Sequence, residues 1–383
     1  MKIALVSPYD WTVPGGVNSH CAHLREQFVA RGHQVRIIAP ASRPVQEEDV
    51  ITIGSRPLSL PASGSLARIS LSLTLAPPVR RLLAEEQFDI VHVHEPFMPM
   101  LSIHFLRYSE AVNVGTFHAS REKRQFLYIW GRRHLRRWFR RLDGKIAVSA
   151  AAAGFVERYF PGYYNVIPNG VDIDRFSAEV PPLAEYKDGK LNILFVGRPE
   201  KRKGLTYLIR AYARLKEQRP DTRLIVVGAG KFDRYERSVR TMGITDVVFR
   251  SYVPYEELPR YHHTADIFCA PATGFESQGI VLLEAMAAGL PVAASNIEGY
   301  AGVLTHGVEG LLVLPEDSDR LAEALLTLVD DASLRRRMVE GGRRRAKEFA
   351  WPRVSQQILS YYERLLHERR PDGLVRAEAR AGS

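Results

Sequence analysis

Short apolar segments that predict strands alternate with helix-length segments along most of the chain. In the first half the predicted strands are 2–7, 34–39, 88–94, 112–118, 145–149 and 164–167. After a looser stretch the pattern restarts, with predicted strands at 191–197, 223–228, 246–249, 266–270, 291–295 and 311–314. Strands that alternate with helices form parallel sheets covered by helices on both faces. The sequence therefore predicts an α/β fold with two similar halves and a cleft between them.

The length of the chain, 383 residues, also favours two domains, because a single hydrophobic core rarely serves so many residues. The stretch 172–190 contains Pro181-Pro182 and a Gly, and its loose composition is typical of a linker. We predict four parts in chain order: an N-terminal domain over 1–175, a linker over 176–190, a C-terminal domain over 191–352 and a final segment over 353–383. The helix of that segment is long enough to return to the first domain, and a polar tail is predicted from Arg369 onward.

The composition places the chain among globular proteins. Apolar residues make up 45% and charged residues 25%, which is typical of a chain that folds in water. The two cysteines, Cys21 and Cys269, lie far apart without the spacing of a metal site. We therefore expect no disulfide framework and a reducing compartment. No uninterrupted apolar stretch of about 18 residues predicts a membrane span.

Two carboxylates occur in or beside one apolar segment. From Gly279 the sequence predicts a buried helix that ends at Gly289, with Glu276 just before it and Glu284 inside it. A buried carboxylate is costly unless something pairs with it, and a polyhydroxy ligand offers several hydroxyl groups. For Glu284 the alternative is an ordinary exposed position on the helix surface.

Two turns that lead from a strand into a helix have the composition of phosphate sites. Gly15 and Gly16 follow the first strand, where a ligand can approach the backbone amides at the helix N-terminus. This is not a complete dinucleotide motif, so a plain strand-to-helix turn remains the alternative. The second turn, 198–203, holds four cations within six residues at the carboxyl end of a strand, where α/β proteins bind anions. Arg198 and Lys203 flank it and are suited to hold a diphosphate; an exposed charge run is the alternative.

The histidines and acidic pairs do not predict a metal site. His118 ends a strand, and a single histidine there is usually structural. His92 and His94 lie two apart on one strand face, but no third ligand is apparent. Asp172 and Asp174 follow a turn into the linker and are discounted. No G-x-S-x-G motif or Cys-His arrangement for nucleophilic catalysis is present.

Much of the positive charge lies in one segment. The net charge is +10, and the residues 121–141 include nine Lys or Arg against one Glu. In this segment and directly after it, Leu135, Trp138, Phe139 and Leu142 recur at helical spacing. A helix of this kind is typical of one that lies on an anionic bilayer. The residues predicted to face the membrane are Arg132, Arg133, Arg136, Arg137, Trp138, Arg140 and Arg141.

Two alternatives apply to the same segment. The helix can pack on its own sheet and turn its arginines to water, which requires the same apolar periodicity. Nucleic acid is disfavoured as a partner, because no recognition module accompanies the charge.

Six motifs, taken in order, resemble those of a known family. They are Ser-Pro-Tyr-(x5)-Gly-Gly-Val at 7–17, Val-His-Val-His-Glu-Pro at 91–96, Thr-Phe-His at 116–118, Pro-Asn-Gly-Val-Asp at 168–172, Gly-Arg-(x4)-Lys-Gly at 197–204 and Glu-(x7)-Glu from 276 to 284. Each motif alone is weak, and the ordered set is specific. From Met1 to about His367 the chain resembles the retaining glycosyltransferases of family 4, and within them most closely the phosphatidylinositol mannosyltransferases.

The resemblance implies a fold and a set of roles. The fold is GT-B, with two Rossmann-like domains that face each other across a cleft. The donor is a nucleotide-sugar bound mainly by the C-terminal domain. Arg198 and Lys203 hold its diphosphate, the Gly16 amide approaches from the other side, Glu276 binds the sugar hydroxyls and Glu284 the ribose. His118 contacts the transferred sugar. The catalytic set is thus His118, Arg198, Lys203 and Glu276, and donor binding adds Gly16, Ser277, Gly279, Ile280 and Glu284.

The acceptor side is less defined. Tyr9, Asn18 and Lys123 are candidates from position alone. The chain also departs from the resemblance near the donor site. The segment between Arg198 and Lys203 is one residue shorter, which obscures the role of Glu200. Phe275 and Gln278 differ from the residues expected beside Glu276, so the transferred sugar stays open.

The spacing of Glu276 and Glu284 bears on the mechanism. Retaining glycosidases use two carboxylates close together. Eight residues along a helix correspond to a rise of about 12 Å, which is too far for a nucleophile and its acid. The alternative is departure of the leaving group and attack on the same face, with the leaving phosphate accepting the acceptor's proton. That route needs cations rather than a nucleophile, and Arg198 and Lys203 are suited to it.

The sequence thus predicts a cytoplasmic enzyme, peripheral on the inner face of the cell membrane. It is expected to transfer a hexose, with mannose from GDP-mannose as the first choice, to a lipid acceptor such as phosphatidylinositol, without a cofactor or an essential metal. The alternative is a UDP-sugar donor with diacylglycerol, another lipid or a polysaccharide precursor as acceptor. A nucleotide-sugar epimerase is disfavoured because its paired acid and base are not recognisable. A non-catalytic binding protein is disfavoured because the proposed catalytic residues occur together.

Overall fold

The computed structural model describes residues 1–54, 57–62, 65–70, 72, 74–120 and 126–381. The chain forms two compact units, Met1–Asn169 together with Trp351–Ser383, and Gly170–Ala350. The first boundary therefore lies after Asn169 instead of 175. The stretch 176–190, predicted to be a linker, belongs to the second unit, because Phe176 and Tyr186 are buried in the core of that unit.

The first unit is built on a parallel sheet. Its strands are β1 (Lys2–Val6), β2 (Gln34–Ala39), β3 (Val50–Thr52), β4 (Leu58–Ala62), β5 (Ser65–Ile69), β6 (Ile90–His94), β7 (Val112–Phe117), β8 (Gly144–Ala147) and β9 (Asn165–Val166). Seven of them form one sheet in the order β3-β2-β1-β6-β7-β8-β9, with parallel pairing. The order places the carboxyl ends of β1, β6 and β7 side by side.

The strands β4 and β5 form a separate antiparallel hairpin that the sequence did not predict. Pro61 within β4 is unfavourable in a sheet interior, and an isolated hairpin is only marginally stable. Its position is fixed instead by the loop after β1, where Tyr9 pairs with Ile69 and the Asp10 amide donates to the Arg68 carbonyl at 2.9 Å. Tertiary contacts therefore stabilise a segment whose local sequence is unfavourable.

The helices of the first unit are α1 (Gly16–Val29), α2 (Ala76–Glu86), α3 (Leu101–Tyr108), α4 (Phe126–Phe139), α5 (Ala150–Glu157) and the C-terminal α14 (Trp351–Ala381). As predicted, the last helix packs on the first unit, with Tyr362 fully buried beside Phe28 of α1. It also continues through the predicted polar tail to Ala381. At the start of that segment Arg369 Nη2 donates to the Glu110 carbonyl at 2.6 Å, which ties the helix to the unit.

The second unit repeats the design. Its strands are β10 (Leu191–Val196), β11 (Thr222–Val227), β12 (Val247–Arg250), β13 (Ile267–Ala270), β14 (Val292–Ser295) and β15 (Gly310–Val313). They form a parallel sheet in the order β12-β11-β10-β13-β14-β15. Its helices are α6 (Ile173–Ser177), α7 (Leu205–Gln218), α8 (Asp233–Thr241), α9 (Leu258–Thr264), α10 (Ile280–Ala288), α11 (Glu298–Ala301), α12 (Ser318–Asp330) and α13 (Ala332–Glu348). All twelve predicted strands are therefore present in the two parallel sheets, and the first sheet also contains β3, which was not predicted.

None of the helices in the described ranges is both long and apolar enough to cross a membrane.

Candidate active site

A cluster of opposite charges lies at the carboxyl end of β10. The chain leaves this strand through a short 3-10 turn, Lys201–Lys203, before α7 begins. Glu200 accepts from Arg198 Nη2 at 3.1 Å and from Arg202 Nε at 2.8 Å. The carboxylate whose role the sequence left open thus holds two cations of the turn in fixed positions.

The loop that carries Glu276 meets the same turn. Glu276 Oε1 lies 2.5 Å from Arg202 Nη1 and 2.7 Å from Lys203 Nζ. The backbone of the loop is also tied to the turn, since the Thr273 amide donates to the Arg202 carbonyl at 2.8 Å and Arg202 Nη1 donates to the Phe275 carbonyl at 3.2 Å. Three cations and two carboxylates therefore form one network with a net positive charge.

Arg202 belongs to this network although the sequence did not single it out. The family motif at 197–204 specifies Arg198 and Lys203 and leaves position 202 open. Arg198 is half exposed and pairs with Glu200, whereas Arg202 reaches both Glu200 and Glu276. The available signal was the run of four cations, which gave no reason to prefer one member of the run over another.

The predicted helix after this loop is α10. It begins after Gly279, a left-handed residue that also places its backbone against the ring of Tyr300, and ends at Gly289. Ser277 and Ile280 are half-buried at its start. The first amides of a helix have no partner within the helix. This end of α10 therefore offers donors and the positive end of a helix dipole to an anion.

Glu284 lies inside α10 and is buried, with 6% of its surface exposed. Its Oε1 accepts a hydrogen bond from the Tyr255 hydroxyl at 3.3 Å. Burial raises the pKa of the Glu284 carboxyl to about 7, against the opposing effects of Tyr255, Lys203 and Arg175. The exposed position weighed as an alternative is therefore excluded, and the carboxylate is the kind of group that gains from a hydroxylated ligand.

The raised pKa of Glu284 predicts a pH-dependent stability. In the unfolded chain the carboxyl titrates near its usual 4.5, so the folded state must bury a charge as the pH rises through about 7. The free energy of unfolding is therefore highest below pH 4.5, where Glu284 is neutral in both states, and it falls as the pH rises from 4.5 to about 7. At pH 8 the loss amounts to about 3 kcal/mol. Glu284→Gln should match the wild type near pH 4.5 and exceed it by about this amount at pH 8. Denaturant unfolding of the ligand-free chain measures the difference.

The control for this prediction is Glu340→Gln, an exposed position of α13. It should change stability little at either pH. A difference between Glu284→Gln and wild type that does not grow from pH 4.5 to pH 8 would contradict the assigned burial of the charge. The same variant should bind a donor more weakly if Glu284 holds the ribose.

In the first unit His118 does not stand alone. It follows β7, and His94 ends the neighbouring β6, so that His94 Nδ1 lies 3.0 Å from His118 Nε2. His20 on α1 reaches the same place, with ring centroids 5.2 Å from His94 and 5.0 Å from His118. We call His20, His94 and His118 the histidine triad. The sequence gave no sign of His20, because only the sheet order brings α1 next to the ends of β6 and β7.

Burial governs the ionisation of these rings. It lowers the pKa of His118 to about 3, with a hydrogen bond to Asn169 acting in the opposite direction. It also lowers the pKa of His20 and of His94 well below the usual range, and nearby imidazoles add to the effect. The triad is therefore neutral at physiological pH, and His118 is suited to hydrogen bonding rather than to charge stabilisation.

The other residues predicted in this unit differ in their surroundings. Tyr9 is half-buried in the loop after β1. Asn18 is buried and accepts from Ser7 Oγ at 2.7 Å while donating to the Asp10 carbonyl at 2.8 Å, which is a structural arrangement. A Cβ added at Gly16 would meet nothing within 4 Å, so packing does not require this glycine. Lys123 lies outside the described residues.

The basic helix α4 packs on its own unit, which corrects part of the membrane prediction. Leu135, Trp138 and Leu142 lie in the core of the first unit, so Trp138 is not available to a bilayer. Arg141 is also committed, since Nε donates to the Leu106 carbonyl at 2.9 Å and Nη2 to the Ser109 carbonyl at 2.6 Å. A helix face buried in a protein core and one buried in a membrane have the same apolar periodicity. In this protein the apolar face of α4 is buried in the core of the first unit.

The opposite face of α4 is exposed and keeps its charge. Arg133, Arg136, Arg137 and Arg140 are exposed, while Arg132 is half-buried. At the start of this face Trp130 is 84% exposed and Ile129 42%. The exposed aromatic ring beside these arginines is therefore Trp130 and not the predicted Trp138.

Comparison with known proteins identifies the family. Two family descriptions match, Glycosyltransferase Family 4 over residues 14–175 and Glycosyl transferases group 1 over residues 181–345. A phosphatidyl-myo-inositol mannosyltransferase of Mycobacterium leprae is 38% identical over 365 residues, which cover 95% of this chain and 96% of the relative. The chain belongs to glycosyltransferase family 4. A second relative of this glycosyltransferase, with the same name and from Mycolicibacterium smegmatis, is 36% identical over 95% of the chain and 94% of the relative.

Solved structures agree on the fold. A glycosyltransferase from Rickettsia africae superposes with a TM-score of 0.79 at 18% identity, over 95% of this chain and 99% of that one. WaaG, described as a glycosyltransferase involved in lipopolysaccharide biosynthesis, gives 0.69 at 23% identity, over 93% and 98%. This family 4 glycosyltransferase therefore has the GT-B fold with two Rossmann-like sheets, and the predicted family, fold and enzyme class are confirmed.

Proposed function

We propose that this glycosyltransferase transfers mannose from GDP-mannose to a phosphatidylinositol lipid, with retention of the anomeric configuration. The observation that carries the proposal is the identity of 38% and 36%, over nearly the whole chain, to relatives named phosphatidyl-myo-inositol mannosyltransferase. Those names concern the sugar and the acceptor of the relatives. The guanosine diphosphate of the donor comes from the family resemblance.

The charged network of the second unit supports a nucleotide-sugar donor. Arg198, Arg202 and Lys203 surround the turn after β10, and the amides at the start of α10 add uncharged donors. Cations and a helix N-terminus together are suited to a diphosphate. Glu284 is buried and accepts a hydrogen bond from the Tyr255 hydroxyl, and ribose hydroxyls would offer it further hydrogen bonds.

The state of Glu276 bears on the proposed chemistry. Its Oε1 accepts from Arg202 and Lys203, so the carboxylate is engaged by two cations. A nucleophile held in this way is weakened, which supports a reaction without a covalent sugar intermediate. In the proposed step the bond from the anomeric carbon to the phosphate oxygen breaks. The acceptor oxygen bonds to the same face of that carbon, and the acceptor's proton passes to the leaving phosphate. The cations stabilise the charge on that phosphate.

We propose that this step needs no metal, since the cations of the turn can take the place of a metal ion at the diphosphate. Transfer should then persist after dialysis against a chelator. Loss of transfer that returns with Mg²⁺ or Mn²⁺ would contradict this part of the proposal.

A panel of donors and acceptors tests the proposed function. Purified chain is mixed with vesicles that contain phosphatidylinositol or diacylglycerol and with radiolabelled GDP-mannose, UDP-glucose, UDP-galactose or UDP-N-acetylglucosamine. Labelled phosphatidylinositol formed from GDP-mannose is the expected product. A labelled lipid formed only from a UDP-sugar would favour the second candidate, which the departures at Phe275 and Gln278 keep open. Thermal stabilisation reports donor binding independently, about 2.7 kcal/mol at 100 times the dissociation constant.

We propose that the enzyme works at an anionic membrane surface, as a peripheral protein on the inner face of the cell membrane. The supporting surface combines Trp130 and Ile129 with Arg133, Arg136 and Arg137 on the exposed side of α4. Arg107 of α3, the helix that contacts α4, is exposed as well. Aromatic rings settle at the lipid head groups, and each arginine near the surface contributes about 1 kcal/mol of attraction.

Charge reversal on this face should release the protein from vesicles. Arg136→Glu/Arg137→Glu removes about 2 kcal/mol of attraction and adds repulsion, so binding to anionic vesicles should weaken at least about 30-fold. Flotation with phosphatidylserine-containing vesicles at low salt measures it. Arg336→Glu/Arg337→Glu on α13 is the matched control, an exposed arginine pair with the same charge change. Equal effects of both pairs, or no binding by the wild type, would contradict the proposed surface.

A further inference from the structure

The histidine triad brings metal-binding atoms together inside the first unit. Each of His20, His94 and His118 offers a ring nitrogen, and these atoms all lie within 4.8 Å of one another. The three residues come from α1, β6 and the end of β7, so the fold holds them from three directions. His20 and His94 are buried, and His118 is half-buried.

Hydrogen bonds engage only part of the ring nitrogens of the triad. Asn169 is a hydrogen-bonding neighbour of His20 and of His118, and in the described part of the chain the buried Nε2 of His94 has no partner. Buried polar atoms usually have a partner, because leaving one unpaired is costly. The adjacent His92 shows the ordinary solution, with Nε2 at 2.6 Å from Thr116 Oγ1 and Nδ1 at 2.5 Å from the Tyr362 hydroxyl. The triad therefore has a capacity for ligation that His92 lacks.

We propose that His20, His94 and His118 bind a transition-metal ion of the Zn²⁺ class, one imidazole nitrogen each. Zinc takes three histidines readily, with Zn–N distances of about 2.0–2.1 Å. Tetrahedral ligands then lie about 3.4 Å apart, which small rotations of the rings achieve from the observed spacing. A site with three histidine ligands leaves the fourth position of the ion to a water. With no carboxylate in the triad, Mg²⁺ and Ca²⁺ are poor candidates.

The bound ion inhibits transfer instead of assisting it. The family resemblance assigns His118 to the transferred sugar, and a metal ion would hold that imidazole. This consequence rests on the proposed function, whereas metal binding itself does not. The site would thus make the enzyme sensitive to free Zn²⁺ without making it a metalloenzyme.

Direct metal binding to the full chain tests the proposal. Calorimetry with Zn²⁺ should show about one equivalent bound to the wild type, and Co²⁺ should give the intense visible absorption of four-coordinate cobalt, reversed by a chelator. His20→Phe should weaken Zn²⁺ binding at least tenfold and abolish that absorption. The control is His23→Phe, one turn further along α1, where the ring stacks on Trp351 at 4.9 Å and lies outside the triad. This control should bind like the wild type.

The variant is chosen to preserve the fold. Phenylalanine has a ring that can keep the edge contacts of His20 with His94, His118 and Trp351, and it removes two buried ring nitrogens. Circular dichroism verifies folding, and the cobalt spectrum of the wild type stands without any variant. No Zn²⁺ or Co²⁺ uptake by the wild type, or equal uptake by His20→Phe, overturns the proposal.

The activity measurement is separate. Zn²⁺ should inhibit transfer by the wild type and leave His20→Phe at least tenfold less sensitive. If His20→Phe loses zinc binding but Zn²⁺ inhibits transfer by the variant and by the wild type equally, the inhibitory role is overturned. Absence of any transfer with the donor panel would instead count against the proposed function, and the metal measurements would remain decisive for the site.

Discussion

Lys203→Ala is expected to lower the turnover number about a hundredfold. Lys203 Nζ lies 2.7 Å from Glu276 Oε1, and only 16% of its side chain is exposed. A cation in this partly desolvated position acts more strongly than one in water. In the proposed reaction negative charge grows on the leaving phosphate, so a preorganised cation stabilises the transition state more than the bound donor. Steady-state rates with GDP-mannose and phosphatidylinositol measure the loss.

The substitution Lys203→Ala should leave the position of the Glu276 loop largely unchanged. Arg202 still pairs with Glu276 after Lys203 is removed, so the loop keeps one of its two ion pairs. Lys201→Ala is the matched control, because Lys201 is an exposed lysine of the same 3-10 turn. It should change turnover by less than about twofold. Unchanged turnover in Lys203→Ala, or an equal loss in the control, would remove Lys203 from the proposed mechanism.

Gly204→Ala should destabilise the second unit by about 4 kcal/mol or more. Gly204 has a φ of +73°, a conformation that costs alanine about 1 to 2 kcal/mol. In addition, the new Cβ would overlap the Pro271 carbonyl at the end of β13, so backbone must move. Denaturant unfolding measures the loss. Activity should fall with it, because the displaced loop, 271–276, carries Glu276 to Lys203.

Gly243→Ala separates the two causes. Gly243 also has a positive φ, +65°, but an added Cβ would meet nothing within 4 Å. This control should lose only the conformational cost of about 1 to 2 kcal/mol. If both variants lose the same free energy of unfolding, the close approach of Gly204 to Pro271 does not contribute to stability.

Local patterns sufficed where each element has a periodicity of its own. The strand 34–39 occurs with the predicted bounds, and α10 lies between the two glycines, Gly279 and Gly289, that were predicted to flank it. The hairpin of β4 and β5 did not follow from its sequence, because its partner is the loop around Tyr9. The stretch 176–190 was predicted to be a linker from its prolines. Burial of Phe176 and Tyr186, which composition does not reveal, makes it part of the second unit.

The site was predictable to the extent that its residues belong to recognisable motifs. The family motifs pointed to Lys203, Glu276 and Glu284, and the structure brings Lys203 and Glu276 together across 2.7 Å. Arg202 could not be distinguished within its run of cations, because the choice depends on which side chain reaches the loop of Glu276. His20 lies on a helix 74 residues before His94. Only the order β1-β6-β7 in the sheet brings the two together.

The division of the chain into units has a consequence for biosynthesis. The first unit needs α14, whose Tyr362 hydroxyl lies against His92 in the buried core and whose Tyr361 hydroxyl accepts from the Lys145 amide at 3.0 Å. The second unit is one continuous segment, Gly170–Ala350. On the ribosome it can complete its core while the first 169 residues, although made earlier, still lack their final helix. The N-terminal unit is therefore expected to mature last, and until then its apolar surface for α14 is a natural target for chaperones.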